Sequence, residues 1–131
     1  MRILISISET NGIVNFLNKL NSYYSEIEII ATSGTKKYLK SHNINSIEVS
    51  DYTNFPEILD GRVKSLHPKI FGGILSSENL KSHNNELKKY NIKKFDMIIC
   101  NLYQFEKIIN SKDFSNQEAI ENIDIGGASI I

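Results

Sequence analysis

The chain has 131 residues, 40% of them hydrophobic, with 15 Lys and Arg set against 15 Asp and Glu. That size and balance suit one globular domain with a real core, and they exclude a nucleic-acid footprint or a charged tail. A single cysteine, Cys100, cannot form an internal disulfide, and no run approaches the ~18 apolar residues of a membrane span.

Arg2 to Ser6 is a short apolar run that reads as a buried strand. With Met1 it is too short for a signal-peptide core and lacks a small-residue cleavage site, so the cytoplasm is the expected compartment. A polar turn, Ser8 to Gly12, leads into helical spacing through Ile13, Phe16, Leu17 and Leu20. Ile27 to Ala31 is the second strand and Thr32 to Thr35 a loop. A helix then runs from about Lys36 to Ser41 and ends near Asn43. Ile47 to Val49 is a third strand. Strand, loop and helix thus alternate, which argues for a parallel sheet with helices on its faces.

Asp51 to Gly73 breaks the pattern. It carries both prolines, and one helical turn is expected at Pro56 to Leu59. A loop this long in a small domain is usually functional. Ile74-Leu75 is a short apolar piece, and Asn79 to Tyr90 reads as a helix. Phe95 to Asn101 is the strongest strand, with Met97 to Cys100 expected to be buried on both faces and Cys100 a small core side chain. Phe105 to Ile109 begins another helix. Ser115 to Glu118 has the form of a capping box before a helix from Asn116 to Asn122. Ile123 to Ile125 reads as extended, and Gly126-Gly127 turns the chain toward a last helix. The apolar end Ala128 to Ile131 has no helix stop and is expected to continue in a longer polypeptide.

Two features carry chemistry. Arg62, Lys64, His67 and Lys69 fall within eight residues, bracketed by Gly61 and Gly72-Gly73 and interrupted by Pro68, so they are expected on a shaped loop rather than a long helix. Arg62 offers a fork suited to phosphate, and His67 is a possible general acid or base because its pKa lies nearest neutrality. A solvated basic loop is the plain alternative. Four further loops follow expected strands: Ser8 to Gly12, Thr32 to Thr35, Asn101 to Gln104 and Asp124 to Gly127. In open α/β sheets such loops bind ligands, and a hydroxyl-and-glycine turn opening a helix cradles phosphate. Simple capping explains each loop taken alone. His42 and His83 have no metal-ligand spacing with Cys or carboxylates, so they read as surface residues and no metal is expected.

Asp60-Gly61-Arg62-Val63-Lys64-Ser65-Leu66-His67-Pro68-Lys69 resembles the signature loop of the IMP cyclohydrolase domain found in bifunctional AICAR transformylase/IMP cyclohydrolase. Thr32 to Thr35, Phe55 to Gly61, Asn101 to Phe105 and Ile123 to Gly127 extend the likeness through almost the whole chain. The resemblance implies a doubly wound α/β fold of the methylglyoxal-synthase-like type. Residues 1–131 would form one domain, cut short at its C-terminus, with a five-stranded parallel sheet and helices on both faces. It implies closure of the purine ring of formyl-AICAR to IMP, with no cofactor. The partners are that purine ribonucleotide and, in the full-length protein, a second copy in a homodimer; neither nucleic acid nor membrane is involved.

By the same resemblance Lys64, Tyr103 and Asp124 are catalytic. Ser8, Thr32, Gly34 and Thr35 hold the phosphate, while Arg62, Ser65, Asn101 and Gly126 complete the substrate site. The chain departs from the family pattern at several places, among them Ser65 in the place of a usual threonine. Thr10 stands where a lysine is expected, Ser33 replaces a glycine, Gln104 replaces a proline, and Phe71 stands in place of a histidine. Lys36 and Lys69 are the cations that could make up for Thr10. Two other activities of this fold are a methylglyoxal synthase-type lyase and a non-catalytic domain that senses a nucleotide or phosphate.

Overall fold

The computed structural model describes residues 1–111 and 114–131. A parallel four-stranded sheet runs through the centre in the order β3-β2-β1-β4, formed by β1 (Arg2–Ser6), β2 (Glu28–Ala31), β3 (Ile47–Glu48) and β4 (Met97–Cys100). Ile3, Leu4 and Ile5 pair with Ile29, Ile30 and Ala31 on one side and with Met97, Ile98 and Ile99 on the other. β1 is therefore the central strand, and its apolar run is buried because helices cover both faces.

Alternation along the strands divides the core in two. Ile3, Ile5, Ile29 and Ala31 face Ile13 and Leu17 of α1 (Ile13–Asn21) and Leu39 of α2 (Ser33–Ser41). On the opposite face, Leu4 and Ile30 pack with Val49 of α3 (Val49–Thr53), Ile70 of α4 (Pro68–Leu75) and Ile130 of α8 (Ile125–Ile130). α5 (Lys81–Lys89), α6 (Phe105–Ile109) and α7 (Asn116–Glu121) lie outside these clusters and bury no residue fully. No helix among the described residues is long and apolar enough to cross a membrane.

Five expectations are corrected. The sheet has four strands, because Ile123 to Ile125 is not extended. Asp124 instead accepts a hydrogen bond from Gly127 N at 2.7 Å and starts α8, a local side-chain bond that outcompetes strand pairing. β4 is not buried on both faces. It is the last strand of the sheet, and Ile98 remains 38% exposed. No helical turn forms at Pro56 to Leu59; turns run instead over residues 59–65. Pro68 does not interrupt the basic segment but sits at the first position of α4, where its missing N–H costs nothing. Gly72 and Gly73 lie inside that helix rather than in a loop. A Cβ on Gly73 would stand 2.7 Å from the Lys93 carbonyl oxygen, so glycine lets α4 close against the segment entering β4.

Candidate functional site

The carboxyl ends of β1, β2 and β4 open onto one cleft of about 820 Å³. It lies where the chain's crossovers diverge, since β1 leads to β2 on one side while β4 returns on the other. Ser8 and Thr10 enter from the end of β1, Thr32, Gly34 and Thr35 from β2, and Asn101 and Tyr103 from β4. Arg62, Lys64 and Ser65 close it from the basic turn, and Asp124 and Gly126 from the start of α8. All eleven residues expected to be catalytic or substrate-binding thus face one space. His67 does not face it.

Thr32 caps α2 with extended backbone, and the first helical bond runs from Lys36 N to Thr32 O at 2.8 Å. The N–H groups of Ser33, Gly34 and Thr35 precede that bond, so they have no intrahelical acceptor and can serve an anion. The expected loop is therefore the helix's first turn, and α2 begins three residues earlier than its periodicity suggests. Ser33 adopts helical backbone, so the serine needs no left-handed conformation there. The buried Thr35 hydroxyl lies 3.1 Å from that of Thr32 and bonds both Ile7 N and Ile7 O at 3.2 Å. Thr35 thus fixes α2 to the end of β1.

Asn101 has a similar role beside β4. Its Oδ1 accepts from Ser8 N at 2.7 Å and from Glu9 N at 3.1 Å, and its Nδ2 donates to Glu9 O at 2.7 Å. Ser8 Oγ donates to Leu102 O at 2.7 Å. Asn101 therefore clamps the first loop to the fourth strand, and Ser8 faces the cleft from that clamp.

Lys64 Nζ donates to Tyr103 Oη at 3.2 Å, which places an ammonium and a phenol together on one wall. Such donors stabilise an oxyanion that develops between them. Asp124, which also lines the cleft, has its Oδ1 held by Gly127 N, which fixes the carboxylate's direction. A Cβ on Gly126 would come within 2.7 Å of Ser65 Oγ, so a side chain there would force the Ser65 hydroxyl to turn aside. Arg62 is half exposed, with Asp60 and Glu121 each 3.9 Å away. Those contacts exceed hydrogen-bonding distance and leave the guanidinium available to a ligand. Glu121, on α7, is a wall residue that sequence reasoning missed, because only the tertiary fold brings α7 to Arg62.

Several side chains are placed elsewhere. His67 Nδ1 accepts from Lys69 N at 3.1 Å, so the imidazole caps α4. Burial first, then the Lys69 charge, pushes its pKa below the ordinary 6.5 and keeps it neutral for that bond. Lys36 pairs with Glu48 at 3.0 Å and Asp51 at 3.3 Å, and Lys69 Nζ reaches Tyr52 O at 3.4 Å. Neither lysine lines the cleft, so neither replaces the cation missing at Thr10. Cys100 is half-buried, and its thiol is pushed up by burial and by the nearby Asp124 charge. His83 is also half-buried, against expectation, because its Nδ1 accepts from Ser77 N at 3.1 Å. Among the described residues no cluster of three or more His, Cys, Asp or Glu could hold a metal.

Residues 12–129 match the MGS-like domain family. The chain is 49% identical over 128 residues to the bifunctional purine biosynthesis protein PurH of Thermoanaerobacter sp. (strain X514), and 46% identical over 130 residues to that of Ligilactobacillus salivarius (strain UCC118). These alignments cover 98% and 99% of this chain but 25% of each relative, so the chain spans about a quarter of their length. The fold is similar to a crystal structure of ForH, with a TM-score of 0.75 and 26% identity over 99% of this chain and 64% of that one.

Proposed function

The chain belongs to the MGS-like domain family, and on that footing we propose that its cleft closes the purine ring of formyl-AICAR to give IMP. The observation that carries this reading is convergence. Motif residues spread from Ser8 to Gly126 meet in one cleft at the strand ends, with a paired ammonium and phenol and a carboxylate all lining it. In this reading the free N–H groups of α2, with Thr32 and Gly34, take the 5′-phosphate. Arg62 and Asn101 set the base, Asn101 chiefly by holding the Ser8 loop.

The carboxamide nitrogen attacks the formyl carbon, forming the C–N bond. Lys64 and Tyr103 stabilise the oxygen of the tetrahedral adduct. Asp124 accepts the proton from the attacking nitrogen. Asp124 hands that proton to the adduct oxygen, and the C–O bond breaks as the former formamido nitrogen gives up its own proton. Water thus leaves with the formyl oxygen and one proton from each ring nitrogen, and Asp124 is again a carboxylate. Holding the two arms side by side supplies much of the rate. The wider reading makes the full-length protein a cytoplasmic homodimer.

One observation favours a second reading, a nucleotide- or phosphate-sensing domain. Thr10 lines the cleft where the resemblance expects a lysine, leaving Arg62 and Lys64 as the cationic side chains in the wall among the described residues. Turnover of formyl-AICAR, followed by the ultraviolet absorbance of the new purine, tests both. IMP formation above the uncatalysed rate is the expected result. A folded chain that binds IMP but forms none would overturn the enzymatic reading in favour of sensing.

A further inference from the structure

We propose that Ser33 and Glu57 form a latch that holds the basic turn over the cleft, making both of them positioning residues for the site. Ser33 Oγ donates to Glu57, lying 2.7 Å from Oε1 and 2.8 Å from Oε2. Both side chains are half-buried, and neither lines the cleft. The reaction needs neither of them, yet the bond joins the two parts that must act together. Ser33 is the first residue of α2, beside the N–H groups offered to phosphate. Glu57 begins the segment that leads to Arg62 and Lys64.

That segment needs an external hold. Leu59, Asp60 and Gly61 adopt consecutive left-handed conformations, with φ of 53°, 54° and 81°. Two of them are not glycine, and such backbone persists only where its surroundings over-determine it. The turn's own side-chain links to the rest of the cleft wall are weak or exposed: Arg62 to Glu121 at 3.9 Å and Lys64 to Tyr103 at 3.2 Å. The Glu57 contact is shorter and charge-assisted, which makes it the stronger tether. Glu57 Oε2 and Lys64 Nζ also lie 3.5 and 3.9 Å from the point where a Cβ on Gly61 would stand. The carboxylate thus sits against the bend that aims Lys64, and a shift of Glu57 redirects the ammonium.

The proposal rests on the ring-closure reading only for what the turn acts upon, so its test has a structural and a kinetic arm. The 131-residue chain is compared with Ser33→Ala, Glu57→Ala, the double variant and Ser33→Thr, each confirmed folded by circular dichroism. Trypsin cleavage after Arg62 and Lys64 under native conditions reports opening of the turn. Each single alanine variant is expected to speed cleavage about tenfold, the factor for losing one hydrogen bond to a charged group. The double variant should match the singles, because both remove the same bond. Ser33→Thr keeps the hydroxyl and should restore slow cleavage. In turnover, the alanine variants should lose kcat while KM changes little, since the phosphate N–H groups remain.

Unchanged cleavage in the singles, or effects that multiply in the double variant, would overturn the latch even if ring closure proceeds. Coupled cleavage with no turnover in any chain, the parent included, would uphold the latch and count against ring closure.

Discussion

Lys64 Nζ lies 3.2 Å from Tyr103 Oη and 5.8 Å from the centre of its ring, although the residues are 39 positions apart. The turn before α4 and the loop after β4 thus supply paired donors to one wall. If they stabilise a developing oxyanion, Lys64→Ala should lower kcat about 100-fold and Tyr103→Phe about tenfold. IMP affinity, measured by calorimetry, should change far less. Equal loss of turnover and affinity would assign the pair to ground-state binding instead.

His67 should behave as a helix cap. Losing its bond to Lys69 N in His67→Ala should cost about 1 kcal/mol, whereas asparagine, a good N-cap, should retain most of it. Its pKa is lowered in the fold, so its contribution is complete above the ordinary 6.5 and is lost as pH falls through 6.5 toward the folded value. Chemical denaturation across that window should show a slope that His67→Asn removes. A collapse of kcat in His67→Asn, with stability intact, would restore the residue as an acid or base.

Gly127 cannot gain a side chain cheaply. A Cβ there would stand 2.8 Å from both Asp124 Cγ and Leu102 Cδ2. Gly127→Ala should therefore destabilise the chain by about 1–3 kcal/mol. It should also turn the Asp124 carboxylate away from the cleft and suppress turnover. Thermal unfolding and a kcat measurement check this; a variant with unchanged Tm and rate would show that α8 yields without effect.

Acid should loosen α7. Glu118 and Ser115 form a reciprocal capping box, with Ser115 N donating to Glu118 at 2.8 Å. The backbone bond, then the side-chain bond, lowers the Glu118 pKa below 4.5. A lowered carboxylate pKa stabilises the fold above the unfolded value, and that contribution is lost as pH falls through the folded one. Because Glu118 is exposed, the effect is local. Hydrogen exchange of the α7 amides should quicken as pH falls through that range, after correction for the intrinsic rate, and Glu118→Gln should abolish this dependence.

Much of this architecture is readable from local rules. α1 follows from its apolar spacing and α7 from its capping box. The cleft follows from placing hydroxyls, amides and glycines after apolar strands. The rest depends on partners distant in the chain. Ile123 to Ile125 has the composition of a strand, but one Asp124 bond commits it to a helix. Gly72-Gly73 reads as a break until Lys93 is seen to require the space. His67 looks like an acid or base because its pKa is near neutral, and only the fold shows its ring nitrogen spent on Lys69. Ser33 reads as a departure from the family pattern; its link to Glu57 spans 24 residues and leaves no periodic trace.

The clamp between Ser8 and Asn101 joins positions 93 residues apart. β1, β2 and β3 can pair through short crossovers, whereas β4 must find β1 across the long intervening chain, a search that slows folding. We therefore expect the cleft to form late in assembly, once the fourth strand docks. In refolding from denaturant, helical signal should recover before the capacity to bind IMP, and the delay between the two is the time β4 takes to arrive. Simultaneous recovery would mean that β4 docks as early as the other strands.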